Sequence, residues 1–364
     1  MAADHRAARS VLHSTYQVVS IALRPAGDNR AAPPPSGKVR RVADQPVPVP
    51  SVFSDVAARV RNWGRWGPDD EIGTLNLLDD VARLRGAAAV VSGKAFALGL
   101  PLSEAEGIQL GFIEGRVNPT RTMVQVNEPV NAEQPDWVCF SEDVLTLATQ
   151  CATHWDALAH SSYGGVIYNG YPASSVTADG AARCGIHRLG TVVGRGVLLD
   201  VARALADDAD AAAPVLPPGH PITPADLDAA LALTDIDLAP GDIVLVRTGQ
   251  MVHLQPERRD LLAYTWPSPG LTIETAEWFH RHDVAAVATD TLVFEVYPSQ
   301  HEDAYLPVHL LHLVEMGLTQ GQNWVLDALA ADCAADGRYS FLLDATPLPL
   351  TNGLGTPLNP VAIK

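Results

Sequence analysis

The decapeptide CATHWDALAH, residues 151–160, sets two imidazoles and a carboxylate within seven positions of a chain in which only 18% of residues are charged. If LATQCATHWD runs as an extended strand, side chains alternate between its faces, so Gln150, Ala152, His154 and Asp156 point the same way. If the chain then turns into a helix from Asp156, His160 lies four residues on and returns to that side. Imidazole nitrogen with carboxylate oxygen is a ligand set for Zn or Mn, at about 2.0–2.2 Å from a zinc ion. The plainer alternative is a His–Asp pair hydrogen-bonded inside a core. The spacing is neither HExxH nor that of a zinc finger, so it does not decide between them.

The elements that must position these residues mix strands and helices without a regular βαβ rhythm. TRTMVQVNEPV and DVLTLATQCATHWD read as strands, and RGVLLDVA, GDIVLVRTG and VAAVATDT as short buried ones. TPADLDAALALT has a Thr-Pro helix start, IETAEWFHRHD is helical, and LPVHLLHLVEMG is a helix with proline in its first turn and glycine at its end. Together they predict one α/β domain over residues 46–364. Residues 1–45 hold seven Lys/Arg against three Asp/Glu and end in a proline-rich stretch, which predicts a disordered extension.

Composition excludes several partners. A net charge of −17, from 25 basic against 42 acidic residues, repels phosphate backbones and anionic lipid, so neither nucleic acid nor membrane is expected. No apolar run approaches the roughly 20 residues that span a bilayer. Cys139, Cys151, Cys184 and Cys333 lack CxxC or framework spacing, which points to reducing cytoplasm. Ser161 and Ser162 have no GxSxG context for a nucleophile. A small-molecule ligand remains as the expected partner.

QCATHWDALAH resembles the HxGTHxDxPxH signature of the cyclase family of metal-dependent hydrolases, to which bacterial kynurenine formamidase and isatin hydrolase belong. Thr153, His154, Asp156 and His160 agree with it, whereas Gln150 replaces the first histidine, Ala152 the glycine and Leu158 the proline. NWGRWGPDDEIGTLNLL, HRLGTVVGRGVLLDVAR, LAPGDIVLVRTG and VAAVATDT look like further family blocks in family order.

The resemblance implies a swivelling β/β/α fold, with a mixed, β-barrel-like core flanked by helices, in a homodimer or homotetramer. It implies a divalent metal, Mn or Zn, held by His154 and Asp156 with Gln150, and His160 as general acid/base or further ligand. A histidine on a later helix, His309 or else His312, and Gln322 at the position of a family glutamate complete the implied metal set. Two carboxamides in place of an imidazole and a carboxylate lower the ligand charge, which favours a single ion. Asp290 would act behind a ligand histidine or cap a loop, and Trp63 and Trp66 would line the substrate pocket; Tyr163 and Tyr168, which follow the motif closely, would line it too or else serve packing. The implied activity is arylformamidase-like hydrolysis of an amide, cyclic amide or lactone. A lyase, dehydratase or cyclisation reaction, or ligand binding without catalysis, is the alternative that the two glutamines raise.

Overall fold

Nine strands of the computed structural model, which describes residues 49–207 and 213–364, form one sheet. Its order is Ala95–Ala97, Val361–Ile363, Ser340–Asp344, Val193–Asp200, Ile243–Arg247, Ala286–Thr289, Thr319–Gln322, His154–Asp156 and Gly355–Pro357. The run from Val193–Asp200 to Thr319–Gln322 is parallel, and the flanking strands are antiparallel. The reading of residues 1–45 as disordered lies outside the described residues.

Chain connectivity requires this sheet to curl. The strands Gly355–Pro357 and Val361–Ile363 occupy the last and second places in the order, which in a flat sheet would be roughly 34 Å apart at the usual strand spacing. The connection from Pro357 to Val361 can span only about 14 Å. The two ends are therefore drawn together, and Leu98 donates to Pro360 while Leu358 donates to Thr153 across the closing side. The result is the barrel-like core flanked by helices that the family resemblance implies.

The parallel strands are buried on both faces, as their unbroken apolar runs require. Leu198, Ile243, Leu245, Ala286 and Ala288 pack inward with Trp155, Trp324 and Phe341. Val197, Leu199, Val244, Val246 and Val287 face out against helices, meeting Phe53 and Val56 of Ser51–Val60, Leu227 of Pro224–Leu231 and Phe279 of Thr275–Arg281. Each fully buried side chain of this size stabilises the fold by about 1.5–3 kcal/mol. Thr223 starts the Pro224–Leu231 helix through a capping box with Asp226.

Two local expectations fail. The strand read through DVLTLATQCATHWD stops at Thr146 and resumes only at His154, because residues 147–153 form turns, with Cys151 N–H donating to Ala148 at 3.0 Å. The helix read in LPVHLLHLVEMG begins as one α turn, Pro307–His309, and continues as a π-helix over Leu310–Met316. Gly317 ends it with a φ of 64°, packed so closely on Tyr168 that a Cβ there would stand 2.4 Å from the ring. Separate from the main sheet, Thr120–Pro129 and Cys139–Thr146 pair only with each other, as an antiparallel ribbon.

Candidate active site

The three-residue strand His154–Asp156 lies between Thr319–Gln322 and Gly355–Pro357, with His154 opposite Gln322 and Trp155 opposite Gly321. Alternation sends Trp155 into the core, edge-on to Trp324 at 4.9 Å, and puts His154 and Asp156 on the same face as Gln320 and Gln322. Asp156 is fully buried. Its Oδ2 accepts from Gln322 Nε2 at 2.9 Å and Gln320 Nε2 at 3.4 Å. Its Oδ1 has no hydrogen-bond donor.

Two imidazoles surround that bare oxygen, His154 Nε2 at 3.6 Å and His160 Nε2 at 3.8 Å. His154 Nδ1 lies 2.6 Å from the Ala152 carbonyl, which can only accept, so the ring proton sits on Nδ1 and the Nε2 lone pair faces Asp156. A backbone carbonyl fixing the tautomer in this way is the usual support of a metal-binding histidine. Burial, and then the charge of Arg116, hold His154 below the ordinary imidazole range. It is therefore neutral and able to ligate. Burial opposes ionisation of Asp156, while positive charge on His160 and then on the other neighbouring imidazoles, together with the Gln320 amide on Oδ2, favours the carboxylate form.

His160 is brought back by a tight turn, with its N–H donating to Ala157 at 2.8 Å, rather than by the expected helix. Its side chain is 24% exposed, so solvent protons reach it. Gln150 Nε2 donates to the Leu354 carbonyl at 3.1 Å, and this fixes the amide orientation; the same nitrogen stands 3.4 Å from His160 Nδ1. The amide nitrogen rather than the ligand oxygen therefore turns toward the site, and Oε1 accepts from Thr149 instead. Gly355 makes room for this side chain, since a Cβ there would lie 2.5 Å from Gln150 Nε2.

His309 joins from the other side. Its Nδ1 lies 2.5 Å from Glu295 Oε1, and Glu295 also accepts from the Val308 and His309 backbone N–H groups, which seats the helix start. Its Nε2 faces Gln322 Nε2 at 3.2 Å, which links it to Asp156. His312 is three residues on, but points between Phe279 and Phe294 with neither ring nitrogen partnered, and burial lowers its pKa to about 3. Of the two histidines, the structure thus brings His309 to the site.

The other sequence candidates lie elsewhere. Asp290 meets no histidine; it accepts from Thr248 N–H, the Thr248 hydroxyl and Gly249 N–H at 2.7–2.9 Å, the loop-capping arrangement. Tyr168 is fully buried and donates to Asp70 at 2.7 Å. Trp63 donates to Val314 at 2.7 Å, and Tyr163 to Glu315, at the end of the π-helix away from His309. Trp66 packs under the Arg65 guanidinium.

Two residues that sequence reasoning missed belong here. Glu295 lies in TLVFEVYP, where a lone acid in an apolar run is the only signal. Arg116 is partly buried at the foot of the ribbon, and its charge acts on Asp156, His154 and His160. A 250 Å³ pocket, lined by Leu100, Ile108, Pro119, Leu254, Cys151 and Ala152, abuts the site through Ala152. A larger, 690 Å³ cleft around Arg61, Arg65, His280 and Arg281 lies away from Asp156.

Among the described residues no three His, Cys, Asp or Glu side chains are preassembled as a metal cluster. Two ligands of one tetrahedral zinc stand roughly 3.4 Å apart. The His154–Asp156 and His160–Asp156 separations are a few tenths of an ångström wider. A buried, ionised carboxylate with one oxygen undonated, beside a lone-pair imidazole, nevertheless fits one divalent cation.

The Cyclase family model matches residues 103–296 of the chain. The crystal structure of a novel cyclase is 34% identical, covers 84% of this chain and 100% of its own, and superposes with a TM-score of 0.73. Isatin hydrolase A from Labrenzia aggregata, bound to benzyl benzoate, is 19% identical over 76% of this chain and 94% of its own, with a TM-score of 0.54. Isatin hydrolase A from Ralstonia solanacearum is 17% identical over 74% and 91%, with a TM-score of 0.53. No curated protein sequence matches.

Proposed function

The chain belongs to the Cyclase family, and on that premise we propose that it is a metal-dependent hydrolase opening a C–N bond in a small-molecule amide or cyclic amide. Lactone hydrolysis is the neighbouring chemistry. The observation behind this reading is the Asp156 Oδ1 atom, buried and undonated between two imidazole nitrogens. His154 and Asp156 would hold the ion, Mn or Zn, while Gln320 and Gln322 steady the other carboxylate oxygen. A divalent ion there supplies Lewis acidity, which polarises a carbonyl and acidifies water.

The chain's own groups do the rest. His160, with access to solvent, accepts a proton at Nδ1, the nitrogen whose lone pair faces the Gln150 amide, and returns it to the leaving nitrogen. Burial holds its pKa below the ordinary range, so it enters the reaction as a base. The Arg116 charge favours negative charge building on the carbonyl oxygen. The apolar pocket beside Ala152 is the place for the substrate's hydrocarbon part.

The test is an assay of N-formyl aromatic amines, cyclic amides and lactones with Mn or Zn, before and after chelation. Metal-dependent turnover that His160→Ala abolishes without loss of bound metal is the expected result. Bound metal with no turnover of any of these classes overturns hydrolysis in favour of a lyase. No metal binding at all leaves a ligand-binding module.

A further inference from the structure

Two partly buried cations have no carboxylate to answer them. Arg83, Arg85, Arg195, Arg203 and Arg247, the other arginines at least partly withdrawn from solvent, each meet a carboxylate oxygen at 3.4 Å or less. Arg116 and Arg259 meet none within ion-pair distance among the described residues. Shortage is not the cause, since the chain holds 42 acidic residues against 25 basic. Withdrawing a cation from water is costly unless an anion or a hydrogen-bond acceptor answers it.

Both stand beside the candidate site. Arg259 lines the 250 Å³ pocket that abuts the site through Ala152. Its Nη2 donates to the Gly107 carbonyl at 2.9 Å, which holds the side chain against the pocket wall and leaves most of its N–H donors unused. That wall is firm. A Cβ at Gly107 would stand 2.1 Å from the Asn118 side chain, Asn118 Oδ1 accepts from Gln109 N–H at 2.9 Å, and Gln109 Nε2 donates to the Cys151 carbonyl at 3.1 Å. Arg116 lies on the same loop, and its charge acts on Asp156 and on Cys151, which also lines the pocket. The acid at this rim, Glu106, is exposed and beyond ion-pair distance of Arg259.

We propose that this pocket takes a substrate carrying a carboxylate, and that Arg259 is the specificity-determining residue that receives it. The two cations then have separate tasks: Arg116 faces the charge that builds on the reacting carbonyl, and Arg259 the charge that the substrate brings with it. A guanidinium fork matches the two oxygens of a carboxylate. Leu100, Ile108, Pro119 and Leu254 make the rest of the lining largely apolar, so the body between amide and carboxylate is hydrocarbon. At 250 Å³ the pocket falls below the ~300–1,000 Å³ of clefts that take drug-sized ligands, which limits that body to about one ring or a short chain. That the carboxylate belongs to a substrate rests on the hydrolase reading; that the pocket binds one does not.

Calorimetric titration of the full chain with benzoate and with benzamide, its neutral counterpart of the same shape, tests binding without turnover. Chelation beforehand keeps a metal ion from competing for the carboxylate. The wild type is expected to bind benzoate at least about tenfold more tightly, the range for a hydrogen bond to a charged partner. Arg259→Ala should lose that preference and Arg259→Lys keep part of it, with circular dichroism as the check on folding. Equal binding of the two probes by the wild type, or a preference that survives Arg259→Ala, overturns the proposal. Initial rates with N-formyl-4-aminobenzoate and N-formylaniline carry the test to the reaction: KM should be about tenfold lower for the anion, and the ratio should collapse in Arg259→Ala. Turnover of both with the same KM overturns the proposal and spares the hydrolysis. A benzoate preference without turnover of either upholds the carboxylate pocket and counts against the hydrolysis alone.

Discussion

Asp156 and Asp242 are both fully buried aspartates, yet their surroundings are opposite. Asp242 meets Arg195 through both carboxylate oxygens, at 2.9 and 2.7 Å, adds Arg85 at 3.1 Å and accepts from Ala239 N–H at 2.8 Å. Asp156 has two amides on one oxygen, nothing on the other, and imidazoles in place of guanidinium groups. The first is a completed ion cluster that joins the helix Asp80–Ala88 to the sheet. The second is a buried carboxylate with one oxygen that no protein donor reaches, and buried charges of this kind are paired or coordinate metals.

The comparison breaks most visibly at the carboxylates. Asp156→Ala should lower turnover by at least about a thousandfold, the range for losing a group that holds the catalytic ion. The same substitution should leave metal-free stability unchanged or raised, since it removes an unpaired buried charge. Urea unfolding after chelation, alongside an activity assay, checks both halves.

At the other pole, Arg195→Ala should cost about 3 kcal/mol of stability by stripping a buried carboxylate of its main partner. Turnover per folded molecule should not change. Loss of activity in protein shown to be folded would mean that the two regions are coupled.

His312 sharpens the contrast, because it is a buried titratable group with no partner of either kind. Its pKa is about 3 in the folded chain and near 6.5 unfolded, so the unfolded state binds the proton more tightly. Stability due to this group is full above pH 6.5 and falls as pH drops through that value. The loss should reach about 2 kcal/mol at pH 5. His312→Leu should flatten that part of the urea-midpoint profile; an unchanged slope would show that the ring is not protonated on unfolding there.

The smallest effect concerns Gln322, which gives Asp156 a hydrogen bond but no charge. Gln322→Glu should tighten binding of the divalent ion by about tenfold and weaken the metal-free fold, as a second carboxylate joins the first. Calorimetric titration with Mn or Zn measures the first effect, and thermal unfolding after chelation the second.

What could be read in the sequence follows which contacts are local. The period of two placed His154 and Asp156 on one face, and pairing with the Thr319–Gln322 strand adds Gln322 to it. Gln150 and His160 do reach the site, but by turns at residues 147–153 and 157–160, where strand and helix rules do not apply. Glu295 shows only as a lone acid in an apolar run, because its partner, fourteen positions on, is reached through tertiary packing. The choice between His309 and His312 rests on the Glu295 contact and on a π-helical segment that no hydrophobic period announces. Barrel curvature, by contrast, was legible from the family blocks and is enforced by the short link between Pro357 and Val361.

The central claim is that the bare oxygen of Asp156 is the seat of a cation. Titration of chelator-stripped protein with Mn or Zn, in wild type and Asp156→Asn, tests it most directly. One ion bound per chain in the wild type and none in the variant is the predicted result. A wild type that binds no ion, or a variant that binds as the wild type does, would contradict it.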